Sequence, residues 1–454
     1  MDFVSSHLFR HPAGPARQST GPPSAPVGLR LIAMLVFLLS IHGCAVQKSV
    51  SVKVPPAPSP LVESVEQNEF PAARRDEIVG RPALIRIEDG DTLPDIARHF
   101  SLGIDAIGAA NPGVDVWAPA AGAHVLLPLS FILPDAPRKG IVINLAAMRL
   151  FQFREGAGSP AVTTYPVGIG TVERPSPVGR MHVVRRMTRP TWHVPDSIAA
   201  AHRKKGDPLP ATVPPGPLNP LGEHALYLSR AGYLIHGTNK PSSIGLQATN
   251  GCIRLYPEDI RRLYESTPVR TPVLIVNQPY LVGRRNGVVY LEVHKPPESS
   301  ATAELKKAYA KLRGIEKKSG HALDWSRVEQ ALAEGRGIPV AVSGGGPGSE
   351  KEFERPVEVR RPGKFIGKPE MPELTAKAWY VLSAETDNRT DAVRIAAIIS
   401  HQGPPIPARV LPKGDRYRVI AGPFGDFGEA RAAARRMKLD LGIDGILIEP
   451  DMAK

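Results

Sequence analysis

Proline and glycine divide this chain into separate segments, and that division limits what the chain can fold into. The 454 residues include 48 prolines and 42 glycines, too many to distribute through packed helices and strands. Much of the excess must lie in linkers, and two candidates are the proline-containing residues 45–83 and the glycine-rich, then charged residues 343–377. Proline-rich spacers are extended and glycine-rich spacers are flexible. The sequence therefore predicts two to four folded units joined by linkers.

The N-terminus has the pattern of an export signal. Residues 31–41 form an apolar run, LIAMLVFLLSI, that fits the hydrophobic part of a signal peptide and is short for a membrane span. The run leads to Cys44, preceded by glycine, which resembles the lipobox of bacterial lipoproteins. That resemblance implies that residues 1–44 are a lipoprotein-type signal and that a lipid on Cys44 anchors the protein in the periplasm. Ala45 favours the outer membrane, and an uncleaved anchor or an ordinary signal peptide is the alternative.

Export bears on the interpretation of both the cysteines and the net charge. The chain has two cysteines, and lipidation of Cys44 leaves Cys252 without a disulfide partner. A lone thiol in an oxidising compartment is either buried or used. The formal net charge of +13 suits nucleic acid, a membrane surface or an acidic polymer. In an exported chain a nucleic-acid partner is not expected, which leaves the other two or a charge that serves only solubility.

Residues 84–133 have the pattern of a small module with the order strand, helix, helix, strand. Helices are predicted over 92–100 and 103–110, and a final strand over 124–127. This order, with the strings GDTLPDIARHF, AANP and AGAHVLLP, resembles the LysM fold. The resemblance implies binding of glycans that contain N-acetylglucosamine. Pro94 and the AAGA stretch depart from the usual LysM pattern.

The chain turns to a β pattern over residues 139–277. A hairpin and several further short strands precede one late helix, opened by Pro257, which predicts a β-sandwich or partial barrel. Residues 278–342 continue as an extension with a strand pair and two helices. After the second linker, residues 378–450 repeat a strand–helix pattern.

The chemistry is concentrated in a histidine and a cysteine that lie 16 residues apart. A loop rich in Gly, Pro and Ser joins His236 to Cys252 and is long enough for the two side chains to meet. A nearby imidazole activates a thiol and can return the proton to a leaving amine. Gly251 removes bulk beside the nucleophile, and Arg254 can hold a substrate carboxylate. Taken singly, however, a histidine and a cysteine are more often core residues than a catalytic pair.

The full motif favours catalysis. HGTNKPSSIG followed by ATNGCIR resembles the YkuD-type catalytic domain of bacterial L,D-transpeptidases, the ErfK/YbiS/YcfS/YnhG group, and the earlier strings YPVGIG and ERPSPVGRMHVV agree with it. The family pattern more often has serine where Thr249 stands, and threonine keeps the hydroxyl. The resemblance implies that Cys252 is the nucleophile and His236 the base. Five residues match pocket positions as substrate contacts, with scaffolding as the alternative for each and function favoured for the last: Tyr233, Thr249, Asn250, Gly251 and Arg254.

The family's reaction is a two-step acyl transfer. The thiolate attacks the L,D peptide bond between the third residue of a peptidoglycan stem, a diamino acid, and the D-alanine after it. A thioester forms, and the side-chain amine of a second stem resolves it to a 3→3 cross-link. In this family a backbone carbonyl usually orients the histidine. The motif leaves the acceptor open: attachment of a lipoprotein, water as in an L,D-carboxypeptidase, or hydrolysis of an existing attachment. A non-enzymatic wall-binding scaffold is the alternative from another class.

No cofactor or metal is expected. Gly168-Ile-Gly170 begins like a dinucleotide loop, but no strand–helix–strand unit follows it. The histidines between positions 182 and 224 are scattered and lack the spacing of metal ligands.

The C-terminal strings AWYVLSAE, YRVIAGPFGDFGEARAAARRM and GILI resemble SPOR domains, small βαβ-βαβ units whose sheet binds glycan strands stripped of peptides. A ferredoxin-like fold with another partner is the alternative. The predicted fold is thus multidomain, mainly β with α+β modules: a βααβ LysM-like module, a mixed β-sandwich YkuD domain and the SPOR-like domain. The predicted partners are peptidoglycan stem peptides and glycan strands, and a membrane through the lipid anchor.

Overall fold

The computed structural model describes residues 61–450, apart from residues 63, 66, 74, 155–159, 296–300, 320–321 and 345–354. Cys44 and the predicted signal lie outside the described residues, as does the first part of the predicted tether. All described residues belong to one compact unit. Among them, no helix is both long enough and apolar enough to cross a membrane.

The N-terminal module has the predicted order of strand, helix, helix and strand. Its elements are β4 (Ala83–Arg86), α1 (Leu93–His99), α2 (Ile104–Ala110) and β5 (His124–Leu127). Thr92 caps α1 by accepting a hydrogen bond from the Asp95 N–H, and Pro94 lies in the first turn, where a missing N–H costs nothing. The Asn111 amide donates to the Ile107 and Leu126 carbonyls at 2.8 Å, which ties the end of α2 to β5. The glycan affinity of this module stays a prediction.

The central domain is built on a nine-stranded mixed sheet. Its strands are β2 (Glu69–Pro71), β7 (Gly140–Asn144), β8 (Arg149–Arg154), β9 (Ala161–Pro166), β11 (Gly179–Thr188), β14 (His224–Leu228), β15 (Leu234–His236), β17 (Ile253–Arg254) and β18 (Pro272–Val276). They lie side by side in the order β17-β15-β14-β11-β18-β7-β8-β9-β2. Around it lie β10 (Ile169–Gly170), β12 (Trp192–His193), α3 (Asp196–Lys204), β13 (Thr212–Val213), β16 (Gln247–Thr249) and α4 (Pro257–Ser266).

The long strand β11 divides this sheet into two halves that share one core. Its first four residues pair with β18 and the later ones with β14, with a shift of register between Val183 and Arg185. Ile141 from one half and Ile235 from the other are fully buried in the same cluster, together with Leu263 of α4. Burial of both halves against one another and the helix stabilises the domain, as each fully buried aliphatic side chain contributes about 2 kcal/mol. The predicted fold class is confirmed.

Two further α+β units follow. The extension contains β19 (Tyr280–Arg285), β20 (Val288–Val293), α5 (Ala301–Ser319), α6 (Trp325–Glu334) and β21 (Pro339–Ala341), with a core of its own. The C-terminal unit contains β23 (Trp379–Thr386), α7 (Arg389–Ser400), β24 (Ala408–Lys413), β25 (Arg416–Phe424), α8 (Phe427–Leu441) and β26 (Ile446–Ile448). Its sheet has the order β24-β25-β23-β26.

Parts of both predicted spacers differ from the prediction because they fold onto neighbouring modules. Within the first, β1 (Leu61–Val62), β2 and β3 (Ile78–Gly80) are strands, and β2 pairs with β9. β3 pairs with β6 (Ser130–Ile132). Within the second, β22 (Val357–Val359) pairs in parallel with β4, and Phe365 is buried in the N-terminal module's core. Strands this short have no detectable period, and the exposed edge of another module provides their partner.

Candidate active site

His236 and Cys252 are brought to one edge of the sheet by neighbouring parallel strands. His236 is the last residue of β15, and Cys252 directly precedes β17. The two strands pair in parallel, with Ile235 opposite Ile253 and His236 opposite Arg254. The segment that connects the two strands therefore begins and ends at neighbouring positions of the sheet. Three residues predicted from the motif meet at this edge.

A backbone carbonyl fixes the orientation of His236. The Nδ1 atom lies 2.7 Å from the Gly237 carbonyl oxygen. Because a carbonyl only accepts, Nδ1 carries the hydrogen and Nε2 keeps its lone pair. Burial, aided by the charge of Arg254, lowers the pKa of His236 to about 3, although hydrogen bonds to the backbone of Gly237 and Leu221 oppose this. The imidazole is thus neutral at neutral pH and presents Nε2 as a base.

The thiol of Cys252 is also neutral in the resting protein. Cys252 is the one cysteine in the part of the chain that the structure describes, and it is free and partly exposed. Its Sγ donates a weak hydrogen bond to the Gly232 carbonyl at 3.6 Å. Burial raises the pKa of the thiol, while the backbone of Leu234 and the charge of Arg254 act in the opposite direction. The site therefore pairs a thiol with a neutral imidazole.

Thr249 and Gly251 shape the turn that presents the nucleophile. The Thr249 hydroxyl donates to the Cys252 carbonyl at 2.7 Å and accepts from the Gly251 N–H at 3.1 Å. Gly251 has φ +106°, and a Cβ there would lie 2.9 Å from the ring of Tyr233. Thr249 is 4% exposed and its hydroxyl is committed to the backbone. These contacts favour a scaffolding role for Thr249, the alternative to the predicted substrate contact.

Asn250 and Tyr233 flank this turn. The exposed Asn250 side-chain oxygen accepts from Nη1 of Arg174 at 2.7 Å, an interaction that the sequence did not predict. Tyr233 is partly buried and packs against the core of the domain. The guanidinium of Arg230 lies 5.4 Å from the centre of the Tyr233 ring. Both residues therefore lie beside the turn that carries the nucleophile.

Arg254 has an unused donor next to the nucleophile. Its Nη1 donates to the Ser243 hydroxyl at 3.0 Å, and its backbone pairs with that of Gly168 on both sides. Its Nε is buried without a hydrogen-bond partner among the residues that the structure describes. Burial lowers the pKa of Arg254 to about 10, so the side chain remains a cation at neutral pH. A buried cationic donor without a partner suits a carboxylate ligand.

The sequence missed the Gly237 and Gly232 carbonyls, Arg174 and the role of Ser243. Ser243 stands in the quoted SSIG string, so a signal was present; the carbonyls carry no residue signature. Over the described residues, no group of three or more His, Cys, Asp and Glu side chains is placed to hold a metal ion.

Comparison with known proteins agrees with the geometry. Residues 138–275 match the L,D-transpeptidase catalytic domain of the YkuD family, and residues 375–449 match the SPOR domain. The chain is 38% identical over 281 residues to the Salmonella typhimurium protein named Probable L,D-transpeptidase ErfK/SrfK, covering 60% of this chain and 89% of that protein.

Two Escherichia coli proteins are similar as well. The chain is 40% identical over 223 residues to the protein named Probable L,D-transpeptidase YbiS, covering 48% of this chain and 72% of that one. It is 37% identical over 272 residues to the protein named Probable L,D-transpeptidase YcfS, covering 59% and 79%. Since the catalytic-domain match contains both β15 and β17, and these relatives are matched over most of their length, this chain belongs to the YkuD family of L,D-transpeptidases.

Proposed function

We propose that this L,D-transpeptidase forms 3→3 cross-links in peptidoglycan through a thioester on Cys252. The observation that carries the proposal is the bond from Nδ1 of His236 to the Gly237 carbonyl, because it leaves Nε2 as a base at the edge where the thiol lies. Family membership supplies the reaction class, and the geometry supports the roles given to His236 and Cys252.

In the first step Nε2 of His236 takes the thiol proton while the sulfur of Cys252 bonds to the carbonyl carbon of the L,D peptide bond. The carbon–nitrogen bond then breaks, and the imidazolium gives its proton to the departing amine of D-alanine. A thioester to the diamino acid of the stem remains on Cys252. Arg254 binds a carboxylate of the donor stem through its unused Nε and guanidinium donors.

In the second step the side-chain amine of another stem attacks the thioester. Nε2 of His236 takes a proton from that amine, the carbon–sulfur bond breaks, and the thiolate of Cys252 recovers the proton. The product is an amide between two diamino acids. Water or a lipoprotein amine in the same position gives a carboxypeptidase or an attachment reaction with the same enzyme residues.

The SPOR domain holds the enzyme on its polymer, and the N-terminal module is a second candidate for glycan binding. Two binding modules on one chain raise the local substrate concentration. In the N-terminal module, however, the loop residues Asp91 and Asp115 are already engaged by Arg361 at 2.5 Å and by Arg394 at 2.6 Å. We therefore expect the SPOR domain to supply the glycan affinity while these ion pairs hold.

We also propose that the protein works in the periplasm, anchored through Cys44 to the outer membrane. The supporting observation is the apolar run that ends in the lipobox-like Gly43-Cys44. The Cys44→Ser variant should be released from membranes into the soluble fraction. A variant that stays with the membranes would contradict lipid anchoring.

The test of the reaction uses purified protein and disaccharide-tetrapeptide. Wild type should release D-alanine and form 3→3 dimers that mass spectrometry identifies, and the Cys252→Ala variant should do neither. Tripeptide without dimer would assign water as the acceptor. No product from folded wild type would leave the protein a wall-binding scaffold.

A further inference from the structure

The loop that joins the two catalytic strands is held by other modules of the chain. We define the active-site loop as residues 238–245, between β15 and β16, with a short 3₁₀ turn at Pro241–Ser243. This loop carries Ser243, whose hydroxyl accepts the hydrogen bond from Arg254. Whatever fixes the loop therefore also fixes the partner of Arg254.

The SPOR domain holds one side of the active-site loop. Nζ of Lys240 lies 2.9 Å from Oδ2 of Asp440 on α8, and both side chains are about one quarter exposed. The Ser242 hydroxyl donates to the His401 carbonyl at 3.0 Å, just after α7. The backbone of Gly403 packs so closely that a Cβ there would lie 1.7 Å from the Asn239 carbonyl oxygen. These contacts join the catalytic domain to the SPOR domain through backbone as well as side chains.

The N-terminal module holds the other side. The Ile104 N–H, at the start of α2, donates to the Ile244 carbonyl at 3.1 Å. Gly245 has φ +83°, and a Cβ there would lie 2.5 Å from the Cα of Gly103. The active-site loop thus lies between two modules, and its end away from the SPOR domain has no room for a side chain.

A chain of contacts runs from the SPOR domain to Arg254. The Lys240 side chain pairs with Asp440, while the Lys240 carbonyl accepts from the Ser243 hydroxyl at 2.6 Å. That bond uses the hydroxyl hydrogen of Ser243 and turns an oxygen lone pair toward Nη1 of Arg254, which donates to it at 3.0 Å. Only Nη1 is engaged in this way, whereas Nε is unpaired among the described residues. Ser243 therefore sets the direction in which the guanidinium presents its remaining donors.

We propose that the docked SPOR domain is part of the catalytic apparatus: it holds the active-site loop so that Ser243 acts as a positioning residue, aiming Arg254 at the donor carboxylate. This inference rests on the proposed role of Arg254. A SPOR domain that served only as a tether would need no such contact, since tethering depends on linker length alone. Undocking loosens donor recognition and leaves the thiol and imidazole in place.

The test compares full-length variants that do or do not disturb the contact between the SPOR domain and the active-site loop. Asp440→Asn removes the ion pair to the active-site loop, and Gly403→Val blocks docking by steric overlap. Lys438→Ala is the matched control, because Lys438 lies on the same helix but pairs with Asp444 of the SPOR domain itself. Thermal melting of each variant checks that it is folded.

The first readout is hydrogen exchange at residues 243–245, which needs no turnover. Exchange should be faster in Asp440→Asn and Gly403→Val than in wild type, and unchanged in Lys438→Ala. Equal exchange in all four proteins would overturn the inference.

The second readout is donor kinetics with a carboxylate stem and its amidated form. The Lys240–Asp440 ion pair, whose side chains are about one quarter exposed, favours the docked loop by a factor of about five. KM for the carboxylate donor should therefore rise by about that factor in Asp440→Asn, while kcat is retained. The amidated donor should be affected little. Ser243→Ala should raise KM in the same way, and Ser243→Thr should restore it. If wild type turns over and the variants have the same KM as wild type, this inference alone is refuted. If wild type does not turn over, the proposed function is refuted and, with it, the role given to Arg254.

Discussion

The protonation state of the resting Cys252–His236 pair can be measured through alkylation of the thiol. Burial lowers the pKa of His236 to about 3 and raises that of Cys252, so a thiolate–imidazolium ion pair is disfavoured from both sides. A cysteine with the ordinary pKa of about 8.5 is about 3% ionised at pH 7, and Cys252 must be ionised less than that. The rate of alkylation by iodoacetamide should therefore rise about tenfold per pH unit from pH 6 to pH 8.

Two substitutions separate the contributions to this profile. His236→Ala removes a neutral group, so the shape of the pH profile should be retained. Arg254→Met removes the cation that favours the thiolate, so the pKa of Cys252 should rise further and the rate at pH 8 should fall. A pH-independent plateau between pH 6 and pH 8 in wild type, lost in His236→Ala, would refute the neutral pair and require an ion pair.

Three further predictions follow from single positions. Burial raises the pKa of Asp259 to about 7, above the ordinary aspartate pKa of about 3.9, so stability falls as pH rises between these values. The free energy of unfolding in urea should therefore be compared between Asp259→Asn and wild type at two pH values. The advantage of the variant should be about 3 kcal/mol larger at pH 8 than at pH 5, and an equal advantage at both would contradict the raised pKa. Thr249→Val should lose about 2 kcal/mol in melting experiments, because the Gly251 N–H loses its acceptor, whereas Thr249→Ser should match wild type. Gly251→Ala should fold but lose most acylation of Cys252 in a mass assay, since the Cβ displaces Tyr233 or the turn; full acylation would show that the turn tolerates it.

Elements with strong local signals were predictable from the sequence. Helix α8, part of the strand–helix pattern predicted over residues 378–450, spans Phe427–Leu441; Asp426 caps its start, and Gly442 ends it in the left-handed conformation. Helix α3 was missed: none of its residues is buried, and no side-chain hydrogen bond caps its N-terminus. Strand β22 was missed because its partner lies more than 270 residues away.

The candidate site divides in the same way. The motif predicts His236, Cys252 and Arg254 because their side chains carry the chemistry. It does not predict that Gly237 orients the imidazole, since every residue has a carbonyl and only the fold selects one. Nor does it predict the contact between Lys240 and Asp440, which depends on how the SPOR domain packs against the catalytic domain.

The central claim is that Cys252 carries the acyl group, and intact-mass spectrometry tests it most directly. Folded wild type incubated with a carbapenem or with a tetrapeptide donor should gain one covalent adduct, which peptide mapping places on Cys252. In the donor reaction the added mass should equal that of the donor less that of one released D-alanine, and the Cys252→Ala protein should gain nothing. Absence of an adduct on folded wild type, or the same adduct on Cys252→Ala, would contradict the account.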